Sequence, residues 1–440
     1  MSHNPTLGRT TLTALVIGNM LGAGVFTTSG FAMGDLGSPT YVLLAWFIGG
    51  ILAWCGAVSY GALSKLMPIS GGEYYFLSRS IHPLAGFIAG WISLLAGFTG
   101  AIALAALAFE AYITPPELAH AIPENSVATI VIFLAALAHG LQVSHGAALQ
   151  NVVVAIKLAL IIGFLLFAVI GTDIDSWQGV VAWRTSDRPE FSISAFAVTL
   201  MWVSYSYSGF NASTYVASEV KYASKNVPRT MILCTCIIML VYLLLNAIFV
   251  FAPAPEDIAF KQDVAALAAR ALGGEPLANI MRGIIAVALF TSVSAMVMVG
   301  PRVYARMADD GLMPAILQFK GAVPVSAISM QAILAVVVVW STGLRELLSY
   351  LGFTLGLSSA VTVASLFIVV RRRRDEIDDL PGYPWAPVIF IFFTLVFMGL
   401  AATRNPMEML AAVLTILSAV ILYLLFGRKH MKLTDDACSS

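Results

Sequence analysis

The stretches Gly18-Asn19-Met20-Leu21-Gly22-Ala23-Gly24-Val25 and Ser204-Tyr205-Ser206-Tyr207-Ser208-Gly209-Phe210-Asn211 each interrupt a run that is otherwise apolar enough to cross a bilayer. Helix propensity and hydropathy both disfavour glycine and polar residues at mid-membrane, so each stretch reads as a broken helix. The first break falls in a span that begins near Thr11, the second in one that begins near Ile193. Outward from them, five spans run over residues 11–170 and five more over 193–370, so each break opens its block. A block with an odd number of crossings, used twice, is inverted the second time. Two inverted repeats with a broken first helix in each are a transporter architecture, and the paired interruptions point to its binding site. Two further spans, over residues 386–427, lie outside the repeat, with a segment 1–10 before it and a tail 428–440 after.

The composition agrees. Of 440 residues, 59% are hydrophobic and only 11% charged, with a mean hydropathy of +0.88, where a soluble chain carries about a quarter of its residues as charges. A hydrocarbon core of about 30 Å takes roughly 20 apolar residues as helix. Twelve candidate spans begin near Thr11, Pro39, Leu84, Val127, Leu149, Ile193, Arg229, Pro276, Val323, Leu344, Ala386 and Met407. The expected fold is an all-α membrane protein of 12 transmembrane helices, a 5+5 inverted repeat plus two C-terminal helices. The 24 Lys and Arg balance 24 Asp and Glu, so the basic excess that nucleic-acid binding requires is missing. Cys55, Cys234 and Cys236 lie inside apolar runs and Cys438 in the tail, which suggests neither a disulfide framework nor a metal site. The polar segment Met1–Arg9 leads into an apolar stretch that runs past Phe31 without a small-residue cleavage pattern, so no leader is expected to be removed.

An even number of crossings puts both termini on one side. With cytoplasmic termini, the inner segments hold most of the basic residues, among them Lys65, Arg79, Lys221, Lys225, Arg302, Lys320 and the run Arg371–Arg374. The outer segments hold Arg184, Arg188, Lys261, Arg270, Arg282, Arg345 and Arg404. The excess inside predicts cytoplasmic termini in a multi-pass protein of the plasma membrane, here expected to be a bacterial inner membrane.

A break at mid-membrane exposes backbone N–H groups at the start of one half-helix and C=O groups at the end of the other, and these must face protein, water or a ligand. After Gly22, the N–H groups of Ala23, Gly24 and Val25 and the positive end of a helix dipole form a cradle for an anion. The carbonyls of Met20, Tyr205 and Ser208 make the complementary site for a cation, with Gly209 at the second break. A ligand with a carboxylate beside an ammonium, as at the α-carbon of an amino acid, satisfies both. Asn211 is expected to line the site, because an amide at that depth must find a partner. Tyr205, Tyr207 and Phe210 are the aromatic residues available to gate it. The competing reading of Gly22 and Gly24 is close helix packing alone.

Lys157, about eight residues or roughly 12 Å into the fifth span, is the single cation inside a span rather than at its edge. It either snorkels or supplies an internal positive charge to the carbonyls of the broken first helix, where a coupling sodium would otherwise be held. Glu219, near the end of the sixth span, reads as an interfacial ion pair or latch. His139 and His145 have no carboxylate or cysteine partner at ligand spacing, so no metal and no cofactor are expected.

Several stretches resemble the amino acid-polyamine-organocation superfamily of permeases. Gly22-Ala23-Gly24-Val25-Phe26 resembles its G-[SA]-G-[IV]-F, and Pro68-Ile69-Ser70-Gly71-Gly72-Glu73-Tyr74-Tyr75 its P-x-S-G-G-x-Y. Gly86-Phe87-Ile88-Ala89-Gly90-Trp91 resembles G-F-x-x-G-W, and Pro301-Arg302-Val303-Tyr304 with Asp310-Gly311-Leu312-Met313-Pro314 resembles its P-R and D-G-x-x-P segments. The stretch from Glu219 to Pro228 resembles its E-x-K-N-P-x-R-N-x-P, but is longer than the usual form and lacks the inner proline. The resemblance runs from Arg9 to Phe426 and implies the inverted-repeat fold of the bacterial leucine transporter, alternating access, α-group recognition by the first and sixth spans, and Tyr205 as the gate over the substrate. Asn211 stands where some members carry an acidic residue that reads basic substrates.

The function expected is therefore a sodium-independent secondary transporter of amino acids, neutral ones given Asn211, by proton symport or exchange. Its partners would be the amino acid, protons and the lipid bilayer. An exchanger of cationic amino acids or polyamines is the alternative within the class. A membrane-embedded enzyme would need converging His, Asp, Glu or Cys residues at membrane depth, and a channel a charge ring or carbonyl filter without paired half-helices.

Overall fold

The computed structural model describes residues 7–114, 122–140, 147–185, 189–309, 312–318, 324–373 and 380–426. The segment before residue 7, the tail 428–440, His145, Lys320, Arg374 and the Asp310-Gly311 pair of the resemblance lie outside the described residues. The described residues are mostly helical: α1 (Arg9–Met20), α2 (Ala23–Leu36), α3 (Pro39–Leu66), α4 (Gly72–Ser80), α5 (Pro83–Ile92), α6 (Ala101–Ile113), α7 (Ser126–Gly140), α8 (Ala147–Ile170) and α9 (Gln178–Thr185). There follow α10 (Ile193–Ser206), α11 (Ala223–Phe251), α12 (Pro255–Ile258), α13 (Val264–Asp309), α14 (Val325–Ser341), α15 (Leu344–Arg372), α16 (Trp385–Ala402) and α17 (Pro406–Phe426).

Nine helical stretches are long and apolar enough to cross a membrane among the described residues, against the twelve expected. The difference is physical. The segments near Val127 and Val323 form the apolar helices Ser126–Gly140 and Val325–Ser341, which at 1.5 Å per residue reach only about 22–26 Å. The third, α10, stops after 14 residues because it breaks. The 46-residue α13 is two helices, since Gly273 and Gly274 (φ −144° and +68°) are not helical, and its apolar run begins at Pro276 as the sequence predicts.

Both interruptions are real breaks in the backbone. At the first, Leu21 (φ −74°, ψ 66°) ends α1 and extended Gly22 (φ −106°, ψ −165°) precedes α2. The Gly22 N–H turns back to the Met20 carbonyl at 2.8 Å. At the second, α10 stops at Ser206 and Gly209 takes φ +100°, a region in which a side chain is strained. A 3-10 helix then runs Phe210–Glu219.

The buried polar groups fix these elements to one another. Trp46 of α3 donates from its indole to Ser29 of α2 at 2.8 Å, and Ser29 donates to Asn246 of α11 at 2.5 Å. The Tyr242 hydroxyl of α11 donates to the Met20 carbonyl at the first break and stands 3.4 Å from the Ser206 carbonyl at the second. At one end of the molecule Arg345 of α15 holds Asp35 of α2 through both oxygens at 2.7 and 2.8 Å, its guanidinium lying over Trp202 and Phe260. At the other end, Ser70 and Ser218 exchange backbone N–H to hydroxyl bonds of 2.9 Å, and Leu7 pairs with Glu219 and Lys221. α16 packs on α3, α10 and α15, and α17 on α5 and α15.

Candidate functional site

The two breaks touch. A Cβ on Gly209 would stand 2.9 Å from the carbonyl carbon and oxygen of Asn19, and one on Gly24 would stand 2.8 Å from the Ser206 Cα. Only glycine permits so close a backbone approach at both positions. Beside this contact lies a cavity of about 530 Å³, within the range of small-molecule sites.

The first break turns its α2 side to that cavity. Gly22 caps α2 without a side-chain bond, and the N–H groups of Ala23, Gly24 and Val25 take no bond in the first turn of a helix, where none is available within it. Gly22 and Ala23 line the cavity. Gly24 is buried against Ser206 of α10 and Val25 is buried, neither of them lining the cavity, so any contribution of theirs is an N–H. The second break contributes Tyr205, Ser208, Gly209 and Asn211 to the same cavity lining.

Three expected site residues are placed elsewhere. Met20 is 1% exposed, and its carbonyl already accepts from Tyr242 and from the Gly22 N–H. The α1 carbonyls that take no backbone bond are those of Gly18 and Asn19, both at the cavity. Tyr207 is buried against Trp46 and Tyr242 and donates to the Trp46 carbonyl at 3.2 Å. Phe210 packs edge-on to Tyr60, 5.5 Å between centroids. Neither ring lines the cavity, so of the three aromatic candidates Tyr205 is the one at the ligand space.

Lys157 also lines the cavity, from α8. Its Nζ donates to the Ser292 hydroxyl of α13 at 3.4 Å rather than to a carbonyl of the broken helix. Glu219 is exposed, and it is its backbone carbonyl that is used, accepting from Leu7 at 2.9 Å. His139 shares a 2.8 Å bond with Ser294 at the cavity wall, and no group of potential metal ligands occurs among the described residues.

A residue with no role in the sequence reading is prominent here. Glu73, near the start of α4, is 5% exposed and reaches the cavity. It accepts from Tyr60 of α3 and Ser358 of α15 at 2.5 Å, and from Ser359 and Asn211 at 3.4 Å. The residues Ser93, Gly97 and Phe98 on the same wall belong to a π-helical stretch, Ser93–Gly100, between α5 and α6, a distortion that recurs at functional sites.

The sequence profile of the family described as Amino acid permease matches residues 7–426. The chain belongs to the amino acid permease family. This permease is thus an amino acid transporter embedded in a membrane. Among similar proteins, the mouse Large neutral amino acids transporter small subunit 2 is 25% identical over 397 residues, 88% of this chain and 74% of its own. The human protein of that name is 24% identical over 95% of the permease and 80% of itself. The human Asc-type amino acid transporter 1 is 23% identical over 95% of the permease and 82% of itself.

Two features of the permease site could have been foreseen in part. Glu73 is an acidic residue directly after two glycines, in a stretch read only as a motif, and Tyr242 is a tyrosine in the middle of an apolar run. What neither signal carries is the partner, which comes from a distant helix.

Proposed function

We propose that this permease carries neutral amino acids by alternating access, without sodium, binding the α-carboxylate at the free amides of α2 and the α-ammonium at carbonyls of the two breaks. The observation that carries the reading is the apposition of the breaks over one cavity, with unbonded N–H groups on one side and unbonded carbonyls of α1 beside them. Helix ends of opposite polarity around one space suit a zwitterion. The names of relatives that carry large neutral amino acids support the side-chain class. Asn211, neutral at the cavity wall, is in keeping with it.

The same reading takes the fold to be twelve spans of the leucine-transporter type: repeats over 11–170 and 193–370, two added helices over 386–427, and both termini cytoplasmic. The short α7 and α14 and the broken α10 supply the three crossings beyond the nine long ones. The bacterial inner membrane has no support from the mammalian relatives; a plasma membrane does not depend on that origin. No catalytic chemistry is part of the proposal.

The test is uptake of labelled amino acids into liposomes holding the purified full chain, in sodium-free buffer and with internal amino acid present or absent. Saturable, stereospecific uptake of neutral amino acids is expected. Esterifying the carboxylate or acetylating the amine should cost several kcal/mol of binding, because each leaves charge-assisted bonds unmade. Equal transport of a decarboxylated amine and its parent would remove the amide cradle from the account.

A further inference from the structure

Glu73 is a buried carboxyl with an unusual set of neighbours. All four side chains that bond it are neutral, and three of them, Tyr60, Ser358 and Ser359, are hydroxyls. No lysine, arginine or histidine forms an ion pair with it among the described residues. A hydroxyl can donate or accept. When the carboxylate is charged, all four neighbours donate to it, as observed; when it is protonated, one hydroxyl rotates to accept its O–H. The cluster therefore satisfies both charge states without moving a heavy atom, which a lysine or arginine partner could not do.

We propose that Glu73 is the proton-binding site of this carrier: an O–H bond forms on its carboxylate on one side of the membrane and breaks on the other, in step with the conformations of the broken helices. This rests on the transport reading above and names its coupling ion. The mechanical link is in the bonds themselves. Asn211 lies two residues beyond the Gly209 break, Ser358 and Ser359 lie on α15, and Tyr60 on α3. A movement of the 3-10 helix that carries Asn211 away from α4 removes one donor from the carboxylate, and a carboxylate that loses a donor binds a proton more tightly.

The surroundings leave that equilibrium to the cluster. Among the described residues, the titratable groups that interact directly with Glu73 are Tyr60 from α3 and Tyr215 from the 3-10 helix, while Tyr205, His139 and Lys157 line the same cavity without bonding it. The contacting part of α15 presents hydroxyls, and α5 contains no ionisable residue. On α4 itself Arg79 stands over the Tyr75 ring, 6.0 Å away. Burial pushes the Glu73 carboxyl up from the ordinary carboxylate range, opposed by its hydrogen bonds.

The experiment uses the full chain in liposomes and reads two quantities in the same vesicles: exchange of labelled neutral amino acid, and its accumulation under an inward proton gradient. Wild type should accumulate substrate by up to about tenfold per pH unit of gradient for one coupled proton. Glu73→Gln should lose that gradient dependence, and Ser358→Ala should move the pH midpoint of uptake higher by about one unit, since a donor to the charged form is gone. Wild-type exchange with no gradient response would overturn the proposal while leaving the transport reading intact, whereas absence of wild-type exchange would instead remove the transport reading. Gradient-driven accumulation by Glu73→Gln overturns it too. Should Glu73→Gln be silent in exchange, Ser358→Ala and Tyr60→Phe decide, an unmoved midpoint in both being negative. Competition by lysine or arginine in wild type that disappears in Glu73→Gln would make the carboxylate a ligand of the substrate side chain and overturn the proton site.

Discussion

Gly24 of α2 lies directly against Ser206, the last residue of α10, with room for no Cβ between them: one built on Gly24 would be 2.8 Å from the Ser206 Cα and closer still to its hydroxyl. The Ser206 hydroxyl is already held, donating to the Trp202 carbonyl at 2.9 Å and sharing a 3.1 Å bond with Thr28, so it has nowhere to go. Gly24→Val should force the two broken helices apart and move the free amides off the cavity. Uptake should fall by at least about tenfold, some 1.4 kcal/mol of lost binding, while the protein still inserts. Substrate-induced thermal shifts in detergent, read beside membrane yield, separate the two; normal uptake would reduce Gly24 to a packing residue.

Gly209 combines two requirements that no other residue meets, a φ of +100° and contact with the Asn19 carbonyl. The backbone term alone costs about 1–2 kcal/mol for a residue with a Cβ. Gly209→Ala is expected to lower both thermal stability and substrate affinity, measured as a melting shift and as a KM, and an unaltered KM would mean that the second break does not shape the site.

Tyr242 holds the first break by donating to the Met20 carbonyl. Tyr242→Phe leaves that carbonyl with the Gly22 N–H alone in a buried setting, a loss of about 1–3 kcal/mol. Thermal unfolding followed by tryptophan fluorescence should drop accordingly, and the break should loosen enough to raise KM. A variant as stable as wild type, with an unchanged KM, would mean that neither carbonyl bond of the hydroxyl, to Met20 or to Ser206, holds the breaks in place.

The breaks were legible in the sequence because glycine and polar residues at mid-span contradict the hydropathy around them, and the backbone breaks at Leu21-Gly22 and near Gly209, within the two stretches. What lies past a break was not. Helical periodicity assigns faces only while the helix continues, so counting from Tyr205 gave no means of knowing that Tyr207 turns to Trp46 and Phe210 to Tyr60. Glu73 was hidden for another reason: its partners Tyr60, Asn211 and Ser358 stand 13, 138 and 285 residues away in the chain. A cluster assembled from four segments has no local pattern.

Tyr205 is the aromatic side chain of the second break at the cavity. Tyr205→Ala should weaken occlusion of the substrate, raising KM or the rate of leak from preloaded liposomes, yet leave selection for the α-carboxylate and α-ammonium in place, because the backbone proposed to read them persists. Loss of α-group selectivity in this variant would mean that the side chain, and not the backbone, is the reader.

Lys157 is 6% exposed within α8, far from either end of a helix that packs along α1. The two helices meet closely: a Cβ on Gly18 would be 2.9 Å from Val154, and the Asn151 amide donates to the Thr11 hydroxyl at 3.3 Å. The ammonium thus stands at the cavity beside the first break, bonded to Ser292 at 3.4 Å, where it can set the potential felt by the unpaired α1 carbonyls without bonding them directly. If that fixed charge stands in for a coupling sodium, uptake should be flat from zero sodium upward. Lys157→Ala and Lys157→Met should both lose transport by at least about tenfold, since methionine restores the length of the side chain but not its charge. A lysine that merely snorkels contributes its apolar stem, so Lys157→Met would then transport normally. Sodium titration of the wild type and uptake by Lys157→Met, run side by side in the same liposomes, give opposite results under the two accounts.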